Sequence, residues 1–222
     1  MCTNRIQNAK WCDRPDNLLH AINTFIRWFT NFLIADIGTN YLISTIHEDV
    51  DPVSIGSSIQ GDQVGVPILG AVLEGEPRGA TPLCHHVREV TKQISAIAPE
   101  LKAAGKKAAL IICTDGEASD GDITAALKPL HDLPVWVVIR LCTDQDNIVK
   151  YWSNVDNMIE LNMDVIDDPM GESKEIQRIN YWLTYGTPLH RLREFGVTAK
   201  EIDMLDEAKL SAEQMHKFCA YL

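Results

Sequence analysis

No stretch of this sequence is both long and apolar enough to cross a bilayer. Its longest apolar run, Phe25 to Ile46, is broken by Arg27, Asn31, Asp36 and Asn40, where a span needs about 20 mostly apolar residues. Met1-Cys2-Thr3-Asn4-Arg5 has no apolar segment behind it, so no signal peptide is read there. Positive charge is scarce: 20 Lys and Arg stand against 31 Asp and Glu, a formal net charge of -11. Nucleic acid and anionic membranes would repel such a chain overall, so neither is expected as a partner. The six cysteines, Cys2, Cys12, Cys84, Cys113, Cys142 and Cys219, include no C-x-x-C pair. They read as small apolar residues in a reducing compartment, not as a disulfide framework or a zinc site. G-x-S-x-G, the Walker loop and G-x-G-x-x-G are missing too, so an enzyme reading has no nucleophile–base pair or phosphate cradle to rest on. The chain is expected to be cytoplasmic and not an enzyme.

What is present suits a folded globule: 45% apolar and 23% charged residues over 222 positions. Leu18, Leu19, Ile22, Phe25, Ile26, Phe29, Phe32 and Leu33 recur at helical spacing behind Asp16, a fitting N-cap. Tyr41–Ile46 is rich in strand formers, and roughly 47–80 is glycine- and proline-rich, with a short element expected over Val66–Leu73. Thr81-Pro82 then opens a helix whose face is Leu83, Val87, Val90, Ile94 and Ile97, ending at Pro99. Ala108–Cys113 and Pro134–Cys142 are unbroken apolar runs of the kind that parallel sheets bury on both faces. Helices are predicted over Ile123–Leu130 and Asn147–Trp152, and a last strand over Met158–Asn162. The alternation predicts an open, mainly parallel α/β sheet flanked by helices in three layers. Sites in such folds form outside the carboxyl ends of the strands.

From about Ser173 the character changes, giving an α/β domain over 1–172 and a helical extension over 173–222. Thr187-Pro188 opens a short helix that Gly196 closes, and Thr198-x-x-Glu201 and Ser211-x-x-Gln214 fit capping boxes. This tail is expected to pack on the body through Trp182, Leu183, Leu189, Leu192 and Phe195.

The strongest chemical candidate is Asp115 in Ile111-Ile-Cys-Thr-Asp-Gly116, a carboxylate just past a buried strand and followed by glycine. Thr81, in Arg78-Gly-Ala-Thr-Pro-Leu83, offers a hydroxyl from another loop. Hard divalent cations take oxygen ligands of this type. Gly79-Ala-Thr-Pro-Leu83 followed by Leu110-Ile-Ile-Cys-Thr-Asp-Gly116 resembles the von Willebrand factor A domain, and the order of elements agrees over about 16–166. The resemblance implies a metal-ion-dependent adhesion site at the carboxyl edge of the sheet. Thr81 matches its threonine and Asp115 its T-D-G aspartate. It also implies magnesium as cofactor and a protein partner whose carboxylate completes the ion's coordination.

The family's D-x-S-x-S loop occurs nowhere in the chain. Asp51-Pro-Val-Ser-Ile-Gly-Ser-Ser58 has the wrong spacing, and Asp13-Arg-Pro-Asp-Asn17 has no serines. No apolar strand precedes the first helix either. The expectation is that Met1 corresponds to the methionine that often follows this loop in relatives, so that the domain is incomplete at its amino end. One hydroxyl and one carboxylate fall far short of six oxygen ligands, so magnesium is expected to bind weakly or not at all. The leading reading is a protein-binding module. The alternatives are a metal-dependent hydrolase or phosphatase using Asp115, or a degenerate relative without metal.

Other motifs reduce to structure. Ser119-Asp-Gly-Asp122 fails the EF-hand pattern and reads as helix capping by Ser119, Asp120 or Asp122. Adjacent helical residues diverge by about 100°, so Cys84-His-His86 reads as a partly buried cysteine with surface histidines. His47-Glu-Asp-Val-Asp51 lacks H-E-x-x-H spacing. His190-Arg-Leu-Arg193 reads as a solvated helix face.

Overall fold

A computed structural model describes residues 41–43, 53–55, 80–143, 145–194, 196 and 199–221. The chain divides into two compact units, Met1–Leu83 and Cys84–Leu222. In the first, β1 (Tyr41–Ile43) and β2 (Val53–Ile55) pair antiparallel, with Leu42 opposite Ser54. The strand expected from Tyr41 is therefore present, and β2 adds one inside the stretch read as irregular. The helix expected over 16–33 and the element expected over Val66–Leu73 lie outside the described residues.

The second unit is an open sheet of three parallel strands, β3 (Ala108–Thr114), β4 (Val135–Leu141) and β5 (Met163–Ile166), in the order β3-β4-β5. Ala108 pairs with Val135, and Val137 with Met163. All seven residues of β4 are buried, as the unbroken apolar run requires of a central strand. Helix α1 (Leu83–Ala103) leads into β3, α2 (Ile123–Leu127) and a 3₁₀ turn (Lys128–Asp132) join β3 to β4, and α3 (Asp146–Met158) joins β4 to β5. Strands that neighbour in sequence order with right-handed crossovers place α2 and α3 on one face of the sheet.

Pro99 does not end α1. It removes a bond to the carbonyl of Ser95, and both residues are exposed, so water satisfies that carbonyl. The helix stops instead at Gly105, whose φ of +63° permits the left-handed cap, with Lys106 N donating to Leu101 O over 2.8 Å. The last strand is also displaced from the expected Met158–Asn162. Helix α3 runs on to Met158, and it is Met163–Ile166 that pairs with β4.

The other face of the sheet carries Ala109, Ile111 and Cys113 of β3, Trp136, Val138 and Arg140 of β4, and Asp164 and Ile166 of β5, by strand alternation and register. Helices α4 (Pro169–Ile179), α5 (Thr187–Glu194), α6 (Lys200–Asp203) and α7 (Ala212–Tyr221) follow, and α5 packs on β4 and β5. Gly196 closes α5 at a φ of +70°. A Cβ there would stand 3.1 Å from Trp136 Cδ1 and 3.4 Å from Ala109 Cβ, so glycine is required twice over. Helix α4, capped by Asp168 ahead of Pro169, spans the change of character expected at Ser173. Ser211 N donates to Gln214 Oε1 and Gln214 N to Ser211 Oγ, the reciprocal capping box expected at α7. Thr198 lies outside the described residues. No helix among the described residues is long and apolar enough to cross a membrane.

The tail has an apolar core of its own, made by Ile176, Tyr185, Leu189, Ile202, Leu205, Leu210 and Phe218, with Trp182, Leu183 and Leu192 packed against it. These last three and Leu189 were expected to dock the tail on the body, and instead they close the tail on itself. Phe195 lies outside the described residues. Asn180, fully buried, ties this core with four side-chain hydrogen bonds: its Nδ2 donates to Leu205 O and Ala208 O, and its Oδ1 accepts from Leu210 N and Trp182 Nε1.

Candidate functional site

The carboxyl edge of the sheet is shaped first by the turn after β3. Thr114, the last residue of the strand, is buried, and its Oγ1 accepts from Gly116 N at 3.3 Å and meets Gly116 O at 3.1 Å. Trp152 of α3, fully buried, donates Nε1–H to the same Gly116 carbonyl at 3.1 Å. Asp115 thus stands exposed between two residues that are held in place. At the far end of the loop Asp120 accepts from Cys84 N and His85 N at 2.9 and 2.7 Å, satisfying orphan donors in the first turn of α1. Burial opposes its charge, yet those hydrogen bonds together hold its carboxyl below the usual range. Asp122 caps α2 through Thr124 N at 2.9 Å. The capping role expected of this acidic loop is the one Asp120 and Asp122 perform.

The two residues expected to bind metal fall in different units. Thr81 lies in the first, just ahead of α1, and Asp115 in the second, just after β3. Among the described residues no group of three or more His, Cys, Asp or Glu is placed to hold a metal ion. The donors of the second unit at this edge therefore do not amount to a six-oxygen magnesium site. His85 is exposed as read, but Cys84, read as partly buried, is fully buried, and His86 is half-buried with Nε2 lacking a described partner.

Strand ends beyond β3 contribute groups that the sequence reading passed over. Cys113, Arg140 and Cys142 share one face at the end of β3 and β4, because Cys113 pairs with Arg140 and Cys142 N donates to Thr114 O. The neighbouring Cys113 thiol, with help from the Arg140 guanidinium, lowers the Cys142 thiol against its burial, while the Cys142 thiol and burial push Cys113 well up. At the end of β5, burial lifts the Asp167 carboxyl to about 6. The visible sign was one arginine inside an otherwise apolar run, Val135–Leu141.

That arginine anchors the tail. Arg140 Nε donates to Glu194 of α5, which also receives Arg191 and lies 3.2 Å from His190 Nε2. Burial opposes a charge on Glu194, yet His190, Arg140 and Arg191 hold it at about 2. Tyr185 Oη meets His190 Nδ1 at 3.0 Å, and burial lowers the His190 pKa. A neutral imidazole accepts from the phenol at Nδ1, while its buried Nε2, 3.2 Å from Glu194, makes no well-directed hydrogen bond. Arg193 bonds Asp164, Glu172 and Asp206 together. His190 and Arg193 are each 1% exposed, so the expected solvated basic face is a buried one. Their partners come from β5, α4 and the segment after α6, and the spacing within α5 could not reveal them.

Searches against protein-family models, curated proteins and solved structures give no significant match to this chain.

Proposed function

We propose that the chain is a cytoplasmic, von Willebrand factor A-like protein-binding module that engages its partner at the carboxyl edge of the sheet, with Asp115 as the contact group. The observation that carries this reading is the exposed Asp115 carboxylate on a pinned turn, with no hydrogen bond or ion pair among the described residues. A fixed anion that the fold leaves unpaired complements a cationic group on a partner at little ordering cost. The four described cysteines are all free thiols, which suits a reducing compartment. Recognition, not turnover, is the proposed role. Magnesium belongs to the resemblance, and the proposal does not run through it.

The test compares proteins crosslinked to the intact chain with those crosslinked to Asp115→Ala, with and without added magnesium. Loss of a specific partner from the variant at unchanged melting temperature supports the reading. An identical set of partners overturns it. A partner whose capture needs both magnesium and Asp115 restores the metal to the scheme.

A further inference from the structure

We propose that Asp115-Gly116 is a site of spontaneous covalent modification, where the exposed aspartate closes on the next amide to form a succinimide and reopens as isoaspartate. Aspartate followed by glycine occurs twice in the chain, at Asp115-Gly116 and at Asp120-Gly121. Both pairs fall in the loop between β3 and α2. Their local chemistry is the same, and the fold separates them.

In such a pair the aspartate Cγ and the next backbone nitrogen close a five-membered ring, so the attack is intramolecular and gains the advantage of proximity. Glycine supplies no side chain to hinder it. The fold then decides whether the carboxyl can turn toward that nitrogen. At Asp120 it cannot. Oδ1 accepts from Cys84 N at 2.9 Å and Oδ2 from His85 N at 2.7 Å, so both oxygens are held on α1 by charge-assisted bonds. The Asp115 carboxyl is exposed and has no hydrogen bond or ion pair among the described residues. The nitrogen it must reach, Gly116 N, donates to Thr114 Oγ1 over a long 3.3 Å. Trp152 holds the Gly116 carbonyl, which lies beyond the peptide that reacts. A Cβ at Gly116 would meet nothing within 4 Å, so the ring has open space to form.

The chemistry balances with water as the one co-reactant. Gly116 N attacks Cγ of Asp115 in its acid form. A C–N bond forms, the Cγ–OH bond breaks, and the hydroxyl leaves with the amide proton as water. Water then adds to the ring at one of its two carbonyl carbons. Opening at Cγ restores aspartate. Opening at the main-chain carbonyl carbon of Asp115 breaks its bond to Gly116 N and leaves that carbon as a free carboxylate. The main chain then runs through Cβ and Cγ, one carbon longer than before. The carboxylate sits directly on Cα, so the turn no longer presents its anion in the same place.

The experiment ages the intact folded chain and, separately, the same chain in guanidinium chloride, at physiological pH and temperature. Isoaspartate is counted by methyl labelling with an isoaspartyl methyltransferase and placed by fragment-ion mapping of the segment that carries both sites. This readout is covalent and involves no partner, so it is independent of any role of Asp115 in recognition. In the folded chain the product is expected at Asp115, with several-fold less at Asp120. In guanidinium chloride the two sites should draw level, because only the fold distinguishes them. Gly116→Ala keeps the carboxylate, and the new methyl meets open space at a φ outside the left-handed region. It should cut formation at Asp115 several-fold with the circular dichroism spectrum unchanged. Isoaspartate at Asp120 equal to or ahead of that at Asp115 in the folded chain overturns the assignment. So does a folded chain that forms none at Asp115 while the unfolded chain forms it at both.

Discussion

The turn after β3 and the junction under α5 are both rich in carboxylates, and the fold uses them in opposite ways. At the turn, Asp115 and Asp120 are exposed, one unpaired among the described residues and the other spent on helix donors. At the junction, Asp164, Glu172 and Asp206 converge on Arg193, whose side chain is 1% exposed. One guanidinium cannot neutralise three carboxylates, and burying the surplus charge is costly. Stability and its dependence on pH therefore reside at the junction, while the turn is available for recognition.

The largest effect is expected from Arg193→Ala. Arg193 is the one cation bonded to these three acids among the described residues, and removing it leaves their charges buried without that partner, which costs about 3–5 kcal/mol. Equilibrium denaturation of the whole chain reads that loss, and hydrogen exchange should show it first in α4 and α5. A cost below about 1 kcal/mol, the range of an exposed pair, would mean that the tail is held by apolar packing such as that of Gly196 on Trp136 and not by ions.

Next in size is the pH profile. Burial, followed by neighbouring acids, lifts Asp156 to about 6 and Asp203 to about 7, from ordinary values of 3.8. Burial lifts Glu172 from 4.5 to about 7 in spite of Arg193. Groups raised in this way bind more protons folded than unfolded, so their contribution is complete below their ordinary values and is lost as pH rises to about 7. Two residues act in the other direction. Glu194, held at about 2, loses its contribution as pH falls below 4.5, and His190, lowered by burial, loses its own as pH falls below 6.5. These three carboxyls, together with Asp167 at about 6, outnumber the one imidazole between these limits. The melting temperature should therefore rise on acidification from about pH 7 and turn down again below about 4.5. In Glu172→Gln the rise should shrink. A profile that falls steadily from pH 7 would show that His190 outweighs the acids.

A smaller effect belongs to the turn. Asp120→Ala leaves Cys84 N and His85 N uncapped and should cost about 1 kcal/mol. Fraying at the start of α1, read by exchange at Cys84 and His85, separates loss of the cap from a general loosening.

The contrast between the two regions also shows what could be read in advance. Strands β3 and β4, the caps at Asp122 and Ser211 and the turn at Asp115 follow from local signals: apolar runs, a side-chain oxygen two or three residues ahead of an N–H, a glycine after an aspartate. Asp168-Pro169 carried the same kind of signal for α4, and it was passed over. Strand β5 was misplaced because Met-Asp-Val-Ile contains Asp164, a charge that only Arg193, 29 residues later in sequence, makes tolerable. His190 and Arg193 looked solvated for the same reason, since their burial depends on partners brought together by the tail. Local pattern reveals the sheet and its caps, whereas buried charge is set by tertiary pairing.

Asp115→Ala should bring the smallest change of all in stability, within about 0.5 kcal/mol of wild type, because its side chain is exposed and the turn is held by Thr114 and Trp152. Trp152→Phe is the informative companion. It keeps most of the buried ring but leaves the Gly116 carbonyl without its indole donor, so the turn should loosen with Asp115 still present. If Asp115 serves recognition by being held still, both variants should weaken partner capture while only Trp152→Phe lowers the melting temperature. If Trp152→Phe leaves capture unchanged, the carboxylate is needed but its pinned geometry is not.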